Sequence, residues 1–436
     1  MINTAEVILW GTRIGIIHQD DDRPYISFEY DRDFIKSGIE VSPIKLKLSG
    51  QVYDFPDLAG DTFHGAPGLI ADSLPDKFGN KVIERWLLEQ GRTLSDFNTI
   101  DRLCYTGVRG MGALEYRPIA GPEYHLDEGI NIGKMVEFAS KVLSDKESQK
   151  ISSEEEIGYS QLVQLGTSAG GARAKALIAW NEETGEIKSG QIDAGNGFEY
   201  WLIKFDGVDK NGDHNLKDPV EYTRIEYAYY LMAVDAGISM EKCKLLEEGG
   251  RYHFMTKRFD RIGNQKIHMQ TLGALTHIDY NYPGLCSYEQ AASILKQINP
   301  SMKDVEELYR RMVFNVIMVN QDDHVKNISF LMDRNGSWKL APAYDITFSY
   351  NLNNKWLKAH QMLVNGKADN IVVDDLIAAG KSMGISSVKC NRIIDEIVIV
   401  SNNKERYFER AGVREKTYNK LAMIINSKVE NIKQLC

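Results

Sequence analysis

The sequence predicts a mixed α/β (α+β) chain of two lobes, with a β-rich N-terminal part and a mostly helical C-terminal lobe. Three observations predict it. Residues 4 to 55 alternate apolar and polar side chains between turn clusters such as "HQDDDRP", the period of an antiparallel sheet. Strand-like runs return between residues 160 and 260, broken by one helical stretch, "DPVEYTRIEYAYYLMAVDAG". From about residue 285 onward the apolar period is helical, apart from one hairpin in which "ISFLM" and "WKLAP" flank "DRNGS".

At 436 residues, 43% of them apolar, the chain exceeds one ordinary core and suits two or three domains. Its 52 basic and 61 acidic residues, net −9, give no general attraction to a phosphate backbone or an anionic membrane. Lys257, Arg258 and Arg261 form a candidate local basic patch. The opening "MINTAEVILWGTR" lacks the basic-then-apolar layout of a signal, and no apolar run reaches the length of a membrane span. A cytoplasmic protein with no membrane partner is therefore expected. Cys104, Cys243, Cys286, Cys390 and Cys436 lie far apart with no C-x-x-C pair, so buried thiols are expected rather than disulfides or a zinc site.

In chain order, "KFGNKVIERWLLEQ" and "IGKMVEFASKVL" read as helices, and the charged run "SDKESQKISSEEE" as a solvated linker. In "YSQLVQLGTSAGGARAKALIAW" small residues from Gly166 to Ala174 precede a strand. Glycines there let backbone N–H groups approach phosphate oxygens, although no G-K-[ST] follows as in a Walker loop. The strand "GFEYWLIKFDG" carries Lys204 between Ile203 and Phe205, placed either as an edge residue with its head in water or as a phosphate-binding lysine. The next helix offers Glu226, with Glu221 as second choice, as the lysine's partner or as half of a surface ion pair.

"SMKDVEELYRRMVFNVIMVN" is a long helix that ends at the polar break Gln321 to Asn327. Asn335-Gly336 is a turn signal, and a hairpin turned there brings Asn327 back near Asp345. Phosphoryl transfer needs such a set: one carboxylate to take the proton of the attacking hydroxyl, and an amide oxygen with a second carboxylate to hold magnesium. D-x-x-x-x-N alone would arise by chance roughly once or twice in a chain this long. The order carries more weight. Glycine loop, strand lysine, helical glutamate, Asp322, Asn327, hairpin and Asp345 follow the sequence of parts in a bilobal protein-kinase-like fold.

At these residues the chain resembles the HipA-like serine/threonine kinases, the toxin components of bacterial type II toxin–antitoxin systems. "ADSLPDKFGNKVIERWL" and "DRLCYTGVRGMGALEYRP" resemble the family's N-terminal subdomain, "TSAGGARAKALI" its phosphate loop, and "YWLIKFD" its ATP-lysine strand. "MTKRFDR" resembles the segment joining the lobes, and "DDHVKN" with "AYDI" the catalytic pair; the D-x-H-x-x-N form accounts for His324. The resemblance implies three segments: an N-terminal subdomain at 1–125, a small lobe with phosphate loop and ATP lysine at 126–257, and a helical catalytic lobe at 258–436.

It implies ATP and Mg2+ as cofactors, Asp322 as catalytic aspartate, and Asn327 and Asp345 as metal ligands. Lys204, Gly170, Gly171, Ala172, Arg173, Glu226 and His324 would belong to the ATP site, with Lys257 and Phe259 contacting adenine. Ser168 falls where the family carries an autophosphorylated serine, with Thr167 beside it as second choice. Phosphate there would place nearly two negative charges where those of ATP must sit. Arg173 stands where the family loop commonly has glutamine, and "HMQTLGALTHIDYNYPGLCSYEQA" replaces a longer acidic segment as a candidate activation or substrate loop.

The implied partners are a protein substrate, in studied members an aminoacyl-tRNA synthetase, and a HipB-like helix-turn-helix antitoxin through which DNA would be reached indirectly. Two other readings stay open: a nucleotide-binding co-repressor without turnover, and a lipid or small-molecule kinase.

Overall fold

The computed structural model describes residues 1–121, 130–143, 163, 173–191, 193–208 and 221–433. The charged run expected to be a linker lies outside them. The chain forms two compact units. The first comprises Met1–Thr223, Lys242–Gln270 and Asp333–Gly336; the second comprises Arg224–Glu241, Thr271–Met332 and Ser337–Cys436.

Among the described residues, the first unit holds two five-stranded antiparallel sheets and a two-stranded one that pairs Arg261–Ile262 with Gln265–Lys266. In one five-stranded sheet, β1 (Thr4–Leu9), β2 (Thr12–His18), β3 (Ser27–Tyr30), β4 (Val52–Tyr53) and β5 (Leu114–Arg117) run in the order β4-β3-β2-β1-β5. The alternation read from the sequence becomes an inward face that includes Val7, Leu9, Phe28 and Tyr30. At Gly15 a Cβ would stand 2.4 Å from the Glu29 carbonyl oxygen, so this residue lets β2 and β3 close on each other.

The second sheet contains β6 (Lys175–Trp180), β7 (Ile187–Ser189), β8 (Glu199–Lys204), β9 (Cys243–Glu248) and β10 (Arg251–Lys257), in the order β7-β6-β8-β10-β9. The predicted helices form at Lys77–Glu89 and Ile132–Leu143. Asp76 caps the former by accepting from the Gly79 N–H at 2.6 Å. Phe78, Val82 and Ile83 of that helix, with Met135 and Val136, share one core with Ile178, Trp201 and Ile203 of the sheet. Burial of each such side chain contributes about 1.5–3 kcal/mol.

The candidate basic patch at Lys257, Arg258 and Arg261 does not form. Arg258 is buried and Arg261 half-buried with its side chain 7% exposed; both bind the fully buried Asp260, at 2.7 and 2.8 Å, while Lys257 pairs with Glu199 at 2.5 Å. The Gly112 N–H also donates to Asp260, at 2.7 Å, and Arg261 reaches the Gly112 carbonyl at 2.9 Å. Residue type alone could not show that the aspartate lying between them in sequence would draw these two arginines inward.

Two imidazoles in this unit are buried in neutral form. Burial pushes His253 and His268 down from 6.5 to about 4. The unfolded chain therefore takes up protons that the folded chain refuses, and stability should fall as pH drops from about 6.5 to 4. His253 Nδ1 accepts from the Asp206 N–H at 2.9 Å, a role that Asn can take over. Urea unfolding of His253→Asn should show a shallower pH dependence across that window; an unchanged slope would remove His253 from this account.

The second unit is mostly helical, with Tyr288–Ile298, Met302–Ile317, Val373–Ser382, Ser387–Asn402 and Glu415–Lys433 as its longer helices and most of Tyr222–Asp235 in addition. Ser301 caps Met302–Ile317, which buries Val305, Leu308, Met312, Val313 and Phe314. Gly380 permits close helix packing: a Cβ there would stand 2.3 Å from Cys390 Sγ. The hairpin pairs Phe330 with Leu340 and Met332 with Trp338, and Gly336 takes the left-handed conformation (φ 81°) in its turn. Cys104, Cys243, Cys286 and Cys390 are free and buried. Among the described residues, no helix is long and apolar enough to cross a membrane.

Candidate active site

The long helix Met302–Ile317 delivers the chain to the polar break through a strained turn. Val319, a β-branched residue, has φ 60°, a conformation that costs about 1–3 kcal/mol and persists only where its surroundings impose it. Here they do. The Asn320 N–H donates to the Asn315 carbonyl at 2.9 Å, the Ser349 N–H to the Val319 carbonyl at 3.1 Å, and the Gln321 N–H to the Ser349 carbonyl at 2.9 Å.

The two aspartates that follow face different surroundings. The Asp322 side chain is 45% exposed and accepts from Gln361 Nε2 at 2.8 Å. His324 Nε2 lies 3.9 Å from the same carboxylate oxygen, and its ring leans on Tyr280 with centroids 5.2 Å apart. Asp323 is buried and accepts three hydrogen bonds: from Tyr288 Oη at 2.9 Å, His360 Nδ1 at 2.9 Å and the Gln361 N–H at 2.8 Å. These donors offset the desolvation of a carboxylate.

Asn327 closes the loop. Its Nδ2 donates to the main-chain carbonyl of Asp322 at 2.8 Å, and its own N–H to the His324 carbonyl at 2.9 Å. Across the hairpin, Tyr344 Oη donates to the Lys326 carbonyl at 2.6 Å. The predicted approach of Asn327 and Asp345 follows: both line one cavity of about 20 Å³, together with Asn320, Asp323, His324 and Tyr344. Asp345 sits there with φ 53°, a left-handed conformation that Asp tolerates better than most residues.

The donor set fits magnesium. With the Asn327 amide nitrogen committed to the Asp322 carbonyl, its oxygen is the acceptor end of that side chain, and Asp345 lines the same cavity. Two hard oxygens suit a cation that takes its other ligands from water and phosphate. Among the described residues, no group of three His, Cys, Asp or Glu side chains forms a complete metal cage.

The other predicted residues are distributed as follows. Lys204 ends β8, the middle strand of its sheet, opposite Lys175 and Phe254; it is 6% exposed, which excludes an edge lysine with its head in water. Lys175 is buried too, its Nζ 3.5 Å from Asp76 Oδ2. Arg173 stacks over the Tyr222 ring at 4.7 Å. The Lys257 N–H donates to the Lys242 carbonyl at 2.9 Å, so that donor is engaged, and Phe259 follows in the turn after β10. Glu226 belongs to the second unit, on the helix Tyr222–Asp235, and is buried rather than part of a surface pair. Ser168, Thr167, Gly170, Gly171 and Ala172 lie outside the described residues. Sequence reasoning missed Asp323, Tyr288, His360 and Gln361; the doublet Asp322-Asp323 was the only signal of the first.

Residues 5–117, which take in the first sheet apart from Thr4, match the model of the HipA N-terminal domain, and residues 167–404 match that of the HipA-like C-terminal domain. The chain belongs to the HipA-like family. All of the loop and hairpin just described falls within the HipA-like C-terminal match.

A Haemophilus influenzae protein named provisionally as a kinase is 26% identical over 263 residues, 51% of this chain and 77% of that relative. A Sinorhizobium fredii protein, also provisionally named a kinase, is 27% identical over 147 residues, 30% of this chain and 35% of the relative. The HipA structure of Shewanella oneidensis MR-1, solved with HipB and operator DNA, aligns over 99% of this chain and 97% of its own with a TM-score of 0.68 and 16% identity. The mixed α/β fold of that HipA structure is thereby shared despite low identity.

Proposed function

We propose that this chain is a magnesium-dependent kinase that transfers the γ-phosphoryl group of ATP to a serine or threonine hydroxyl of a protein. The observation that carries the reading is the hydrogen bond from Asn327 to the Asp322 carbonyl, beside a cavity that Asn327 shares with Asp345. Asp322, with its carboxylate half exposed, takes the proton of the attacking hydroxyl. Asn327 and Asp345 hold magnesium, which when bound offsets charge on the transferring phosphoryl group.

Lys204 binds the ATP phosphates, with Gly170, Gly171, Ala172 and Arg173 in the phosphate loop, Glu226 and His324 supporting the site, and Lys257 and Phe259 at adenine. The working parts are assigned to residues 1–125, 126–257 and 258–436. Ser168, or Thr167 beside it, is the brake: its phosphate repels that of ATP. A HipB-like antitoxin is the proposed partner, supported by likeness to a HipA solved with HipB and operator DNA. A translation protein such as an aminoacyl-tRNA synthetase is the proposed substrate, on family resemblance alone.

The test is incubation of the purified chain, first shown to be unmodified, with magnesium and γ-labelled ATP, followed by mass spectrometry of the 160–180 peptide and of added protein substrates. Label on protein is expected. Asp345→Ala should need about tenfold more magnesium for half-maximal transfer, as expected for one lost charged ligand. ATP binding without any transfer would favour the co-repressor reading, and label in an organic extract would favour a lipid kinase.

A further inference from the structure

Asp322 receives a hydrogen bond from a residue that no motif announces. Gln361 Nε2 lies 2.8 Å from Asp322 Oδ1, although 39 positions separate the two residues. An ionised carboxylate only accepts, so the amide nitrogen is the atom of Gln361 that can face it.

Gln361 is held at two further points. Its backbone N–H donates to Asp323 Oδ1 at 2.8 Å, and its carbonyl accepts from the Gly284 N–H at 2.8 Å. The preceding residue, His360, donates Nδ1–H to the other oxygen of Asp323 at 2.9 Å. The buried aspartate thus anchors the residue that contacts its exposed neighbour.

The side chain of Gln361 also carries a cost that packing alone would not require. The residue is 5% exposed, and its Oε1 is buried without a hydrogen-bond partner. An orphaned acceptor is destabilising where methionine of similar shape would not be. What the amide supplies in return is a fixed donor at Asp322.

We infer that Gln361 is a positioning residue for Asp322, an inference that rests on the kinase reading above. With Oδ1 tied to Gln361, Oδ2 is the oxygen left to meet the substrate hydroxyl, and the plane of the carboxylate is set before substrate arrives. Preorganisation of this kind affects the rate of the chemical step more than the binding of ATP.

The experiment compares the parent with Gln361→Met and Gln361→Glu, measuring kcat, KM for ATP, thermal midpoint and the pH dependence of kcat. Met keeps the volume and removes the donor; Glu opposes Asp322 with a second carboxylate at neutral pH but becomes a donor when protonated. Both variants should lose about tenfold to a hundredfold in kcat, the size of one hydrogen bond to a charged group, with KM for ATP little changed.

Gln361→Glu should also regain activity relative to the parent as pH falls toward 5. The titratable neighbours Asp323, His324, His360 and Tyr288 are common to both proteins, so the parent profile accounts for them. An active parent whose two variants keep their kcat would overturn the positioning role alone. So would losses that track a lowered thermal midpoint, or a Gln361→Glu profile parallel to the parent's. A parent that binds ATP but labels nothing would overturn the kinase reading, and this role with it.

Discussion

Asp322→Ala should remain folded and lose phosphoryl transfer by about a hundredfold to ten-thousandfold, the range that a positioned general base supplies. Loss of fold is not expected, because the carboxylate removed is 45% exposed and has Gln361 as its hydrogen-bonded partner at 2.8 Å. The bond that shapes the loop, from Asn327 to the main-chain carbonyl of residue 322, survives a side-chain substitution. Single-turnover transfer from γ-labelled ATP, read beside the thermal midpoint, checks both halves. Turnover within tenfold of the parent would remove Asp322 from the base role. The adjacent aspartate is not an equivalent test: truncating Asp323 strands Tyr288, His360 and the Gln361 N–H, so a loss there would report on structure as much as chemistry.

The second large effect is expected in stability. Asp260→Ala should destabilise the first unit by about 3–5 kcal/mol, because it leaves two buried guanidinium groups without the carboxylate that compensates them. Burial raises the Asp260 carboxyl, but Arg258 and Arg261 outweigh burial and hold it below its ordinary value of 3.8. The sign follows. A depressed folded-state value makes the contribution complete above about pH 4 and loses it as pH falls below the unfolded value toward the folded one. Urea unfolding at neutral pH should show the full deficit, and the gap between parent and variant should narrow in acid. An equal midpoint at pH 7 would mean that the three charges contribute nothing net.

Much of this fold could be read from residues whose local preference and burial agree. Lys77–Glu89 and Met302–Ile317 have helical period behind an aspartate or serine cap, and both form. The first sheet follows from simple alternation. Within the site, Asp322, His324 and Asn327 could be found because their spacing is local, and Asp345 because a hairpin made its approach foreseeable. Gln361 could not be found this way. Its link to Asp322 depends on where a later loop returns, and "AHQML" contains nothing that sequence periodicity can use. Residue type also failed to separate two aspartates that stand side by side, since their difference is one of burial and partners. The same limit produced the false basic patch at Lys257, Arg258 and Arg261.

The bond from the Asn327 side chain to the Asp322 carbonyl also has a meaning for how this stretch can change over time. It spans five positions and closes a ring of main chain, so the motif acts as a ruler. The side chains between can be exchanged so far as the ring is concerned, because the bond does not use them. An inserted or deleted residue is different in kind, since no compensating substitution elsewhere restores the circumference. A residue inserted between Asp322 and Asn327 should therefore be tolerated far less well than a substitution there.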